Sequence, residues 1–277
     1  MQYSTFAAID IGSYDVILEI FEISKKQGIR SVDKICHRME LGKDTYTLGK
    51  IRPEMEEELC RVLADFVRIM EGYRVDDYRA TASSAISEAS NSLYVLGKIH
   101  QLTGLSVTVL SNSEQRFLSY KALAAMEDNF NKIIEKGTAI LDLDGGSFQI
   151  SLFDKDALVT TQNIRMGSLR IRERLAGIQS ETEHYEEMVE ELIWNEVSSF
   201  KKMYLKDRKI ENIMLIGDVF TDSVYQNIEE KTTKIISREN FNTWYEKIIR
   251  QSPMELAVKL GIPLENASLM YPSAVIY

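Results

Sequence analysis

Residues 6–23 read FAAIDIGSYDVILEIFEI and residues 138–155 read TAILDLDGGSFQISLFDK, and the likeness of these two stretches decides the fold. Each opens with a short apolar strand ending in an aspartate, Asp10 in the first and Asp142 in the second. A turn of small residues follows, Gly12-Ser13 in one and Gly145-Gly146-Ser147 in the other. A second strand with alternating apolar residues completes each unit. Side chains along a strand alternate with a period of two, so Val16, Leu18 and Ile20 share one face, as do Phe148, Ile150 and Leu152. The repeat is spaced too widely for a solenoid, whose period is roughly 20–50 residues, and points instead to two related domains. The length agrees: 277 residues exceed the roughly 100–200 of one domain.

Outward from the hairpins the pattern changes to a helical one. Pro53 stands where a first helical residue would, and Met55, Leu59, Val62, Leu63, Phe66, Ile69 and Met70 follow at three- and four-residue spacing, with Gly72 as the stop. Helices near 92–103 and 113–127 flank a strand at Ser106–Leu110. A third strand is expected near 157–164, and another at Ile213–Ile216. Ser180–Glu183 and Ser252–Glu255 have the spacing of capping boxes, Phe241, Trp244, Tyr245 and Ile248 mark one more helix, and Gly261 closes the one after it. Strands alternating with helices imply an α/β fold. With no Pro-, Gly- or Ser-rich linker, the domain join is expected inside a helix near 120–128, giving domains of 1–125 and 126–277.

Composition narrows the function. Thirty-three Lys+Arg against 42 Asp+Glu leave a net charge of −9. That argues against nucleic acid as a partner, because gripping its backbone rests on basic residues. A small phosphate ligand is not excluded, since backbone N–H groups and a metal can hold it. Two cysteines, Cys36 and Cys60, make no disulfide framework, and no apolar run approaches the roughly 18–20 residues of a membrane span. The start has no leader pattern. A cytoplasmic protein without membrane contact is expected. His37, His100 and His184 lack metal-ligand spacing, and no P-loop, H-E-x-x-H or G-x-S-x-G motif occurs.

Strand–Asp-x-Gly-Ser–strand, repeated as Asp-x-x-Gly-Gly-Ser, resembles the two phosphate loops of the actin, hexokinase and heat-shock ATPase superfamily. Three stretches between and after the loops resemble one branch of it, the exopolyphosphatase / guanosine pentaphosphate phosphatase (Ppx/GppA) family: Ala82-Ser-Ser-Ala-Ile-Ser-Glu-Ala-Ser-Asn91, Leu110-Ser-Asn-Ser-Glu-Gln-Arg-Phe-Leu-Ser-Tyr120 and Arg165-Met-Gly-Ser-Leu-Arg170. The end, Pro263-Leu-Glu-Asn-Ala-Ser-Leu-Met-Tyr-Pro-Ser-Ala, is similar to the family's closing segment. The resemblance implies two actin-like (ribonuclease H-like) domains facing a central cleft, with the final residues packing back on the first. It also implies Mg²⁺-dependent hydrolysis of a terminal phosphate from inorganic polyphosphate or a guanosine pentaphosphate alarmone, and leaves room for a homodimer. Gly12, Ser13, Gly145, Gly146 and Ser147 would let backbone N–H groups approach phosphate, and Asp10 and Asp142 would hold the metal. One glycine turn alone needs no ligand; two with matching aspartates favour one.

The departures fall on the chemistry. The family's Ser-Gly-x-Glu-Glu-Ala becomes Ser111-Asn-Ser-Glu-Gln-Arg116, so the expected base becomes Gln115, with Glu114 beside it as the substitute. Gly-Gly-Gly-Ser-Thr-Glu becomes Asp144-Gly-Gly-Ser-Phe-Gln149, and the usual arginine of Ala-Thr-Ser-Ala-x-Arg falls on Ser87. The first loop continues with Tyr14-Asp15 where Asn-Ser is usual, and a third loop corresponds to Ile216-Gly-Asp218-Val219. An amide takes no proton from water, and extra carboxylates repel phosphate. The reading is a phosphatase fold with a degraded site and weak or no turnover, a pseudoenzyme. The alternatives are a non-catalytic binder of polyphosphate or alarmone, or a protein-interaction module.

Overall fold

The computed structural model describes residues 3–26, 28–126, 130–179, 184–206, 208–217 and 237–277. The chain divides into two units, Met1–Ser119 and Tyr120–Tyr277.

In the first unit β1 (Ser4–Ile11), β2 (Asp15–Ser24) and β3 (Gly28–Arg38) form an antiparallel meander. β4 (Asp77–Ala82) then runs parallel to β1, and β5 (Val107–Val109) parallel to β4, giving the order β3-β2-β1-β4-β5. Alternation sets the faces. Ile9, Ile11, Val16, Leu18 and Ile20 are buried against the helices, while Asp10, Asp15, Ile17 and Glu19 take the other face. The helices of this unit are α1 (Leu41–Leu48), α2 (Pro53–Tyr73), the single turn α3 (Ser84–Ser87) and α4 (Ser92–Thr103), and the division between the units falls inside α5 (Asn112–Met126). Pro53 opens α2 as its spacing requires, and Leu59, Val62, Leu63, Phe66 and Met70 are its buried stripe. The helix passes Gly72 by one residue and is closed by Arg74 in the left-handed region, φ 53°. The stretch between the hairpins is not wholly helical: β3 and β4 lie there besides the expected β5. β3 is an edge strand with most side chains exposed, so it carries no buried stripe to read.

The second unit repeats the plan. β6 (Thr138–Leu143) pairs antiparallel with β7 (Phe148–Asp154), β7 with β8 (Ala157–Ile164), and β9 (Asn212–Gly217) runs parallel to β6. The order β8-β7-β6-β9 matches β3-β2-β1-β4 of the first sheet. Both faces are covered, which is why six of the seven residues of β7 are buried. Leu141, Leu143, Phe148, Ile150 and Leu152 pack with α7 (Ser168–Gln179) and α8 (Tyr185–Phe200). Ile140 and Phe153 pack with Phe130 and Ile134 of the short α6 (Phe130–Ile134). A π-helical turn, Lys201–Leu205, continues α8.

The chain ends in α9 (Arg238–Ile249), α10 (Pro253–Leu260) and α11 (Leu264–Ile276). The Ser252–Glu255 capping box opens α10, and Gly261 closes it at φ 64°. The Ser180–Glu183 box lies outside the described residues. α11 packs on α7, α8, α9 and α10, so the final residues, expected to return to the first unit, join the second. The cause is its buried face of Ala267, Leu269, Met270, Ala274 and Ile276. Two α/β units with this strand order are actin-like domains. Among the described residues no helix is long and apolar enough to cross a membrane.

Candidate active site

Asp10 is the next-to-last residue of β1, and the register sets it between Ile17 of β2 and Thr81 of β4. Its face is opposite to that of Ile9 and Ile11, which keeps the carboxyl out of the core. The carboxyl pKa is pushed up to about 6. Crowding that strips hydration is the largest cause and the Asp15 carboxylate the second, while a hydrogen bond with Thr81 pulls the other way. Asp10 is nevertheless exposed by surface area, so water reaches it and screens part of the effect.

The turn that follows is tight. The Gly12 N–H donates to the Asp15 carbonyl at 2.9 Å, and a Cβ on Gly12 would stand 2.9 Å from that oxygen. The Ser13 side chain is buried in a closed ring of three hydroxyls. Its Oγ lies 2.7 Å from Tyr46 Oη and 3.3 Å from Ser84 Oγ, and those two are 2.8 Å apart. The Ser13 carbonyl also accepts from the Gly42 N–H at 2.8 Å. The first loop is thereby tied to α1 and α3, and the serine hydroxyl is a fastening of the loop.

α5 begins shortly after β5 with a capping box. Glu114 Oε2 accepts from the Ser111 N–H at 2.9 Å and from its hydroxyl at 2.7 Å, and Ser111 Oγ accepts from the Glu114 N–H at 3.3 Å. The Ser111 N–H, then its hydroxyl, hold the Glu114 carboxyl below the usual carboxylate range. Gln115 is half-buried and donates its N–H to the Ser111 carbonyl at 3.0 Å. The Gly12 turn, Ser83–Ser87 and Ser111–Gln115 all follow the carboxyl ends of the adjacent parallel strands β1, β4 and β5, where open α/β sheets hold their ligands. Ser87 is exposed and carries no charge.

In the second unit Asp142 is likewise the next-to-last residue of its strand, between Gln149 of β7 and Ile216 of β9. Gln149 is buried and its Oε1 accepts from the Thr161 hydroxyl at 3.3 Å. The loop between β6 and β7 closes through the Asp144 N–H to the Ser147 carbonyl at 2.9 Å. Asp144 Oδ1 accepts from the Gly145 N–H at 2.5 Å.

The start of α7 clamps this loop from below. The Arg170 N–H donates to the Gly145 carbonyl at 2.9 Å and Arg170 Nε to the Gly146 carbonyl at 2.8 Å. Gly167 passes so close that a Cβ there would stand 2.2 Å from the Asp144 carbonyl oxygen. Asp218 and Val219 lie outside the described residues.

The structure therefore gathers Asp10, Gly12 and Ser13 with the strand ends that lead to Glu114 and Gln115, and separately gathers Asp142, Gly145, Gly146 and Ser147. Sequence reasoning assigned no role to Tyr46, Ser84, Gly167 or Arg170. The last two stand in the 165–170 stretch, where Gly-Ser between a strand and a helix was the available signal. Among the described residues no three His, Cys, Asp or Glu side chains converge to cage a metal. The carboxylates do fit Mg²⁺, which keeps most of its waters and needs one or two carboxylates besides ligand phosphates. Asp10 at the end of β1 and Asp142 at the end of β6 each offer one such carboxylate in their own unit.

The profile of the Ppx/GppA phosphatase family matches residues 19–277. The chain belongs to the Ppx/GppA phosphatase family. Among curated proteins it is similar to the bifunctional 3-dehydroquinate synthase/phosphatase of Fusobacterium nucleatum, 22% identical over 238 residues, a match covering 81% of this chain and 34% of that protein. It is also similar to exopolyphosphatase 1 of Mycobacterium leprae, 25% identical over 144 residues, covering 52% of this chain and 41% of that one. The match thus spans well under two thirds of either relative.

Solved structures share its fold, two of them as follows. The Ppx/GppA family member of Aquifex aeolicus gives a TM-score of 0.75 at 20% identity, covering 99% of this chain and 89% of that one. An exopolyphosphatase from Cytophaga hutchinsonii gives 0.83 at 19% identity, covering 99% and 88%.

Proposed function

We propose that this Ppx/GppA chain binds the terminal phosphates of inorganic polyphosphate or a guanosine pentaphosphate alarmone in a Mg²⁺-dependent manner, in the cytoplasm, and hydrolyses them slowly or not at all. The observation that carries the reading is the state of the groups at the family's chemical positions. Gln115 and Gln149 are amides where carboxylates are expected, and an amide cannot accept a proton from an attacking water. Glu114, the one carboxylate beside Gln115, is engaged by its own helix cap, and a lowered pKa makes it a weak base.

Binding is a separate matter. The turn at Gly12 keeps its close approach, and Gly145–Ser147 is held in shape by Arg170. Bound Mg²⁺ would offset the negative charge of phosphate and carboxylates together. Within the first unit Asp10 would orient it. Against binding stand Asp15 and Asp144, each costing on the order of 1 kcal/mol when close to a like charge in a wet site. Loop hydrogen bonds, at about 0.5–1.5 kcal/mol each, offset that.

A thermal-shift panel of polyphosphate, guanosine tetra- and pentaphosphate, ATP and pyrophosphate, each with and without Mg²⁺, tests the reading. Stabilisation by a phosphate-rich ligand only with Mg²⁺ is the expected outcome. No shift with any of them contradicts it.

A further inference from the structure

Arg38, the last residue of β3, lies against the first loop. The register places it directly opposite Asp15, which closes the Gly12–Asp15 turn, and its guanidinium sits over the Tyr14 ring with the carbon 4.2 Å from the centroid. The Met39 N–H donates to the Tyr14 carbonyl at 3.1 Å, which fixes the end of β3 to the turn. Two donors of this cation, Nε and Nη1, are buried without a hydrogen-bond partner. It forms no ion pair with Asp10, Asp15 or any other carboxylate among the described residues. Its charge is felt locally all the same, since it opposes the upward shift of the Cys36 thiol. Buried charged donors are almost always paired, and an orphan calls for a cause.

We propose that Arg38 is the anion-binding cation of the first loop, its guanidinium taking two oxygens of a phosphoryl group that rests on the Gly12–Asp15 turn. The proposal rests on the phosphate-ligand reading above. A planar guanidinium matches two oxygens of a phosphoryl group, which suits it to a tetrahedral oxyanion. Ser87 removes the cation expected on α3, and Arg38 supplies one from the opposite side of the turn. Nε and Nη1 are covered as the side chain now lies, so engagement requires the guanidinium to slide on the Tyr14 ring. That movement breaks no hydrogen bond at either atom. The cation–π contact is the force that holds the arginine ready.

The test is calorimetric titration of sodium tripolyphosphate with Mg²⁺ into the full chain, the Arg38→Met variant and the Arg38→Lys variant, at several salt concentrations. Arg38→Met is expected to bind about 10- to 100-fold more weakly, the loss of charge-assisted bonds, and to show a shallower dependence of affinity on salt. Arg38→Lys, which keeps the charge without the fork, falls between. Equal affinity and equal salt slope in wild type and Arg38→Met overturn the proposal while leaving the phosphate-ligand reading intact. If Arg38→Met unfolds, Arg38→Lys decides, and affinity equal to wild type overturns it. Absence of binding by the wild type overturns the phosphate-ligand reading and this proposal with it.

Discussion

Replacing Gly167 by alanine should loosen the second loop. An alanine Cβ would stand 2.2 Å from the Asp144 carbonyl oxygen and 2.5 Å from both the carbon and the oxygen of the Gly145 carbonyl. All three are backbone atoms, so no side chain can turn aside, and the loop must move relative to α7. Overpacking of this kind costs about 1–3 kcal/mol. The same movement stretches the 2.9 Å and 2.8 Å bonds from Arg170 to the Gly145 and Gly146 carbonyls, each worth about 0.5–1.5 kcal/mol. Loss of glycine's freedom in the unfolded chain returns about 0.4–1 kcal/mol.

The balance is a loss of about 2–4 kcal/mol in the second unit. Both tryptophans, Trp194 and Trp244, belong to that unit, so their emission during urea unfolding reports on it selectively. With a urea slope of about 1–3 kcal/mol per molar, the midpoint should fall by about 1–2 M. A midpoint within about 0.2 M of wild type would refute the clamp, because such a shift corresponds to well under 1 kcal/mol.

Four further outcomes are expected. Tyr46→Phe opens the hydroxyl ring around Ser13 and should cost the first unit about 1–2 kcal/mol, visible in circular dichroism but not in tryptophan emission; an unchanged transition contradicts the ring's role. Asp10 has a folded pKa near 6, above its ordinary 3.8, so the native state binds the extra proton and stability falls as pH rises from about 4 to 6; Asp10→Asn should flatten that fall, and an unchanged pH profile contradicts it. The same titration predicts that Mg²⁺ affinity weakens as pH drops through about 6, and a pH-independent affinity would remove Asp10 from the metal site. Glu114→Gln should leave any residual phosphate release unchanged, whereas abolition of release would make Glu114 the base.

The hairpins were legible because Asp-x-Gly-Ser and Asp-x-x-Gly-Gly-Ser sit between strands with strict alternation, and local pattern fixes them. α2 was legible from Pro53 and its 3–4 spacing. β3 was not, because an edge strand with exposed Arg30, Lys34 and Ile29 shows no buried stripe. Glu114 shows a different limit. The spacing Ser111-x-x-Glu114 serves a helix cap as well as a catalytic pattern, and the hydrogen bonds show the cap. Tyr46 and Gly167 were silent because their partners lie far along the chain, Ser13 and Ser84 for one and Asp144 for the other.

The central claim, ligand kept and turnover lost, is tested most directly by a single-turnover experiment. End-labelled inorganic polyphosphate with Mg²⁺ is mixed with excess protein, and retention by the protein and chain length are followed together over an hour. The account predicts labelled polyphosphate retained by the protein and still at full length throughout. Shortening of the chain within seconds would contradict it, and so would polyphosphate that the protein never retains.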